Sequence, residues 1–77
     1  MTQTSRNLKI GSRYRHFKGN DYLVLHLAKH SETREDLVIY QALYDEMGIW
    51  ARPLVDFLGQ KEINGILVNR FEEIEET

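Results

Sequence analysis

Residues 30–53, HSETREDLVIYQALYDEMGIWARP, place His30, Ser31, Glu32, Thr33, Tyr40, Gln41, Tyr44, Trp50 and Arg52 within two dozen positions. Such side chains can ligate a metal, attack a carbonyl, stack on a ring or pair an anion. The spacing decides among these. His26 and His30 are four apart, which suits shared ligation on a helix; on a strand four residues span roughly 13 Å, too far for one ion. A count across the turn at Gly19-Asn20 puts His16 beside Tyr22 or Leu23, far from His30. Neither a metal site nor a cofactor is expected.

Nucleophilic catalysis needs Ser31 or Thr33 beside a base that a third group orients. His30, Ser31 and Glu32 are adjacent in sequence, and neighbouring side chains point to different sides, so adjacency does not build a triad. The simpler expectation is a loop whose Ser and Thr hydroxyls satisfy backbone amides. No glycine-rich phosphate loop, HExxH motif or framed pair of carboxylates is present. The expectation is a protein that is not an enzyme.

A binding groove fits better. Tyr40 and Tyr44 share one strand face, and Trp50 and Arg52 share a face on the next strand. Pairing around Asp45 to Gly48 would bring Tyr44 to Trp50 and set Tyr40 opposite Arg52. His16 and Arg70 would join them if the sheet closes. The result is an aromatic strip beside a guanidinium, able to stack a base and pair an anion. The competing reading packs Trp50 and one tyrosine into the core, with the Arg52 stem covering them; in so small a domain the core is the expected place for Trp50. Gln41 interrupts the apolar face of Leu37, Ile39 and Leu43, and its amide must find a partner, such as the HSET loop, or open onto a ligand. The candidate ligand-binding set is His16, His30, Ser31, Tyr40, Gln41, Trp50, Arg52 and Arg70.

The elements that position these residues follow a period of two. In DYLVLHLAKH, Leu23, Leu25 and Leu27 alternate with Tyr22, Val24, His26 and Ala28; in LVIYQALY, Leu37, Ile39, Gln41 and Leu43 alternate with Val38, Tyr40, Ala42 and Tyr44. β-Branched and aromatic residues favour strands in both. Gly19-Asn20 and Asn64-Gly65 are tight-turn signals, Ser31 to Asp36 is a polar connection, and Pro53 opens a short helical turn, PLVDFLG, that Gly59 ends. The pattern predicts an all-β fold, a small five-stranded SH3-like barrel with one short helical turn before the last strand, ILVNRF. Residues 1–9 are expected to be a flexible N-terminus, 10–73 the single domain and 74–77 an acidic tail.

With 77 residues and no cysteine, the chain forms one domain without disulfides or thiolate metal sites. No apolar run approaches the ~20 residues that span a bilayer, and MTQTSRNLKIG lacks an apolar signal region; a cytoplasmic, non-membrane protein is expected. Residues 1–20 carry Arg6, Lys9, Arg13, Arg15 and Lys18 without an acid, so the net charge of −2 arises from +5 there and −7 in the remainder.

Tyr14-Arg15-His16-Phe17-Lys18-Gly19-Asn20 with Tyr22, then His30-Ser31-Glu32-Thr33, Tyr40-Gln41-Ala42-Leu43-Tyr44, Trp50-Ala51-Arg52-Pro53 and Arg70-Phe71 together resemble a bacterial family catalogued as domain of unknown function 1653. The likeness covers about residues 11 to 73. It implies an SH3-type barrel of about this length and no assigned activity. The polar-aromatic surface, not the resemblance, carries the functional expectation: a non-catalytic module for a nucleotide, nucleic acid or other small anionic ligand. General nucleic-acid binding is weakened by the negative net charge, which offers little sequence-independent attraction. The alternative is an interaction domain that docks a peptide or another subunit.

Overall fold

Turn chemistry fixes where the strands begin and end. Gly19, at φ 105°, closes a hairpin between β1 (Arg13–His16) and β2 (Asp21–Lys29) in which Tyr14 faces Tyr22 and Arg15 faces Asp21. Asn64 and Gly65, at φ 53° and 82°, form the two-residue left-handed turn between β5 (Gln60–Ile63) and β6 (Ile66–Asn69); two successive positive φ values match the twist of the flanking strands. Between these hairpins run β3 (Asp36–Ala42), β4 (Ile49–Pro53) and the single turn of helix α1 (Leu54–Phe57), and β7 (Phe71–Glu73) ends the order. The computed structural model describes residues 8–74. Most of the expected N-terminal tail, 1–7, and residues 75–77 of the acidic tail lie outside them.

The architecture is all-β, but it is not the expected closed barrel. Among the described residues there are seven strands rather than five: one sheet of order β4-β3-β2-β1-β7, and a separate β5–β6 hairpin. Two causes account for the miscount. QKEI is too polar to announce a strand, yet it pairs with ILVN in β5–β6. The expected last strand, ILVNRF, breaks at Arg70: its amide donates to Gly59 O and its carbonyl accepts from Phe17 N–H, so Phe71 enters the other sheet as β7 against β1. The helical turn therefore precedes three strands, not one. Gly59 ends it because a Cβ there would lie 2.9 Å from Val55 O.

Alternation along β3 is as expected, with Val38, Tyr40 and Ala42 buried and the other face half-buried. In β2 it is not. A bulge between Val24 and His26 shifts the register, so Leu27 falls opposite Val38, and Tyr22, Val24 and Leu27 share the face on which strict alternation would have put His26. One extra residue inverts every side chain after it. The core is Tyr14, Val24, Val38, Tyr40, Phe57 and Phe71, with Leu8, Tyr22, Leu54 and Leu58 packed against it.

Candidate functional site

The sheet order brings the chemistry-bearing residues together on one aromatic platform. Phe57, from α1, and Phe71, from β7, stack with ring centroids 4.1 Å apart. Tyr40 meets both edge-on, at 5.3 and 5.7 Å, and Tyr22 meets Tyr40 and Phe71 edge-on, at 5.3 and 5.6 Å. His16 lies opposite Phe71 in the β1–β7 register and sets its ring against it at 4.9 Å. Edge-to-face pairs place positive ring edges on negative faces and hold these side chains in single orientations.

Two guanidinium groups approach this platform. The Arg52 guanidinium carbon lies 5.8 Å from the Phe71 centroid, within cation–π range, and its Nε donates a long hydrogen bond of 3.3 Å to the Tyr40 hydroxyl. Arg70 stands at the break between β6 and β7. Its Nε is buried and has no hydrogen-bond partner among the described residues. The His16 pKa is lowered, first by burial and then by the charges of Arg52, Lys18 and Arg70. Its Nδ1 accepts the Lys18 N–H at 3.1 Å, which leaves Nε2 to carry the neutral ring's proton. The three charges that lower its pKa are all cations, which gives this side of His16 a local positive field within a chain of net negative charge. Tyr22 and Tyr44 share a hydrogen bond of 2.5 Å between hydroxyls. Burial, that bond and the neighbouring phenols push the Tyr22 pKa up, and Arg52 opposes them. Tyr22 is therefore a neutral, polar member of the cluster.

Of the sequence candidates, His16, Tyr40, Arg52 and Arg70 come together, and four others do not. Trp50 is not in the core: it faces Tyr40 across β3–β4, but β4 is an edge strand and leaves the indole 58% exposed. The turn also begins earlier than expected. Gln41 pairs with Ile49 and Tyr40 with Trp50, so Arg52 lies opposite Val38 and reaches Tyr40 diagonally, while Tyr44 belongs to the loop. Gln41 does not meet the HSET loop; its Nε2 donates to Met47 O at 3.0 Å and holds the 43–48 loop. His30 and Ser31 follow the far end of β2, roughly 26 Å from Tyr22 for eight strand residues. There the His30 Nδ1 accepts the amides of Glu32 and Thr33 at 3.1 and 3.3 Å, and Thr33 Oγ1 accepts that of Glu35 at 3.2 Å. Capping in this loop thus falls to the imidazole and Thr33 rather than to Ser31. Among the described residues no group of three or more His, Cys, Asp or Glu is placed to hold a metal.

Sequence reasoning missed Tyr22 and Phe71 as members of the cluster. The hairpin count across Gly19-Asn20 already put Tyr22 close to His16; what it lacked was the pairing of β1 with β7.

The fold and this cluster define a small all-β domain with a cationic, aromatic-backed surface. Residues 12–73 match the family described as "Protein of unknown function (DUF1653)", and the chain belongs to it. It is similar to the crystal structure of a family member from Bordetella bronchiseptica, with 32% identity, a TM-score of 0.79 and 92% of each chain covered. A search of curated proteins returns no match.

Proposed function

We propose that this domain is a non-catalytic binding module that holds the acidic group of a small anionic ligand, such as a nucleotide, between Arg52, Arg70 and His16. The observation that carries the reading is the buried, unpartnered Nε of Arg70 in a field to which Arg52 and Lys18 add further positive charge. A buried donor without a partner costs about 1–3 kcal/mol, and an oxyanion supplies both the acceptor and the missing negative charge. The hydroxyls of Tyr22 and Tyr40 add hydrogen-bonding groups. No nucleophile stands beside a base in the cluster, which supports binding rather than catalysis, and the cysteine-free composition suits a reducing cytoplasm. Calorimetric titration with nucleotides and inorganic phosphate, with amide NMR for mapping, tests the reading. Arg52→Ala should weaken binding roughly 10- to 150-fold, the worth of one hydrogen bond to a charged group, while circular dichroism shows the fold intact. Unchanged affinity in a folded variant sinks the assignment.

A second reading, an interaction domain, is favoured by one feature. Edge strand β4 carries Ile49 and Trp50, 61% and 58% exposed, and an open edge can accept an extended peptide. It predicts amide shifts along β4 with a partner segment and none with small anions.

A further inference from the structure

A second depression borders Tyr44 and has the opposite charge. Ala42 and Gly48 open a space of about 570 Å³ beside the 43–48 loop, within the size range of small-ligand sites. Tyr44, Met47 and Trp50 are among its lining residues. Its only charged lining residues are Asp45 and Glu46, and neither carboxylate has an ion-pair or hydrogen-bond partner among the described residues. The loop is held in shape. Met47 N–H donates to Tyr44 O at 3.0 Å, Ala42 N–H to Gly48 O at 2.8 Å, and the Gln41 amide to Met47 O, while the Tyr22 hydroxyl fixes Tyr44. Trp50 Nε1 lies 3.3 Å from where a Gly48 Cβ would stand, so this glycine lets the indole lie against the backbone.

We propose that this depression binds an alkylated ammonium group. Aromatic faces attract such a cation through their quadrupoles, most strongly for tryptophan. Two unpaired carboxylates supply the balancing charge, and the methyl groups of the ammonium contact the rings and the Met47 thioether. The anionic cluster ligand belongs elsewhere: the cations Arg52 and Arg70 do not line this space. The ammonium can belong to a small molecule or to a modified lysine of another protein, and the chemistry recognised is the same.

Trp50 is the sole tryptophan, so its fluorescence reports occupancy directly. The full chain is titrated with choline, with the N-acetyl methylamide of trimethyl-lysine, and with 3,3-dimethylbutan-1-ol, the neutral isostere of choline, at constant ionic strength. The expected result is a saturable change with at least one of the two cations and none with the isostere. Asp45→Asn combined with Glu46→Gln should weaken that binding about tenfold, in line with the strength of exposed cation–π and ion-pair contacts. Asparagine also tolerates the left-handed backbone of position 45, at φ 53°. Glu62→Gln, in β5 and outside the lining, removes one acid and should leave the affinity unchanged. Equal binding of the neutral isostere, no saturable change with either cation, or full affinity in the folded double variant would overturn the proposal. Preference for choline over the lysine derivative, or the reverse, supports the proposal either way and identifies the source.

Discussion

Arg70→Met separates what the cluster does for a ligand from what it does for the fold. Methionine keeps an unbranched apolar stem of similar reach and removes the guanidinium. In the free protein that guanidinium has a buried Nε with no partner and stands close enough to His16 to lower its pKa. Leaving such a donor unsatisfied costs about 1–3 kcal/mol, so its removal should leave the free protein as stable as the parent or more stable by up to about 2 kcal/mol. For a domain of this size each kcal/mol corresponds to roughly 4–8 °C in Tm. With ligand the order reverses. At one hundred times its Kd a ligand stabilises the parent by about 2.7 kcal/mol, and a variant that cannot bind gains nothing. Urea denaturation of both proteins, with and without a saturating nucleotide or phosphate, reads all four values. A free variant destabilised by more than about 1 kcal/mol would refute the reasoning, because it would show the guanidinium to be a structural contact rather than a donor awaiting an anion.

His16 makes the fold sensitive to pH in a defined direction. Its folded pKa lies below the ordinary value of 6.5, so its contribution to stability is fully present above that pH and is lost as pH falls through the lowered pKa. Urea midpoints should fall between pH 7.5 and 5.5 in the parent, and His16→Gln should flatten that part of the profile. A bound anion reverses the linkage, because it favours the imidazolium, so affinity for sulfate, whose own charge does not change in this range, should rise as the pH is lowered from 7.5 to 6. The Tyr22–Tyr44 hydroxyl bond is tested by Tyr22→Phe and Tyr44→Phe. Each should cost about 1 kcal/mol in urea denaturation, and the double variant less than the sum, because both singles remove the same bond.

The strand faces and turns were legible in the sequence where local rules act alone. Gly19 and Asn64-Gly65 require positive φ, and both hairpins form where those residues stand. The period of two groups Val38, Tyr40 and Ala42 on one face of β3 without deciding which face is buried; the structure buries theirs. In β2 the same rule failed at Leu25, because a bulge is a response to the neighbouring strand and leaves no local signature. Trp50 was misplaced for a similar reason. Its type predicts burial, but burial depends on which strands lie beyond it, and β4 has none on its outer side.

The candidate site divides along the same line. Residue types and hairpin counting alone brought His16 near Tyr22 and suggested that Tyr40, Arg52, His16 and Arg70 could form one surface. Tertiary structure decided that they do, and it did so without closing a barrel: the chain breaks at Arg70, sends Phe71 from the β5–β6 hairpin to the edge of β1, and so delivers an arginine and a ring to His16. It also decided that His30 and Ser31 stay apart, at the far end of a nine-residue strand. Local sequence dictates which dihedral angles and which faces are favourable, since those depend on nearest neighbours. Which distant strands become neighbours depends on the burial of Tyr14, Phe57 and Phe71 together, a property that no single segment possesses.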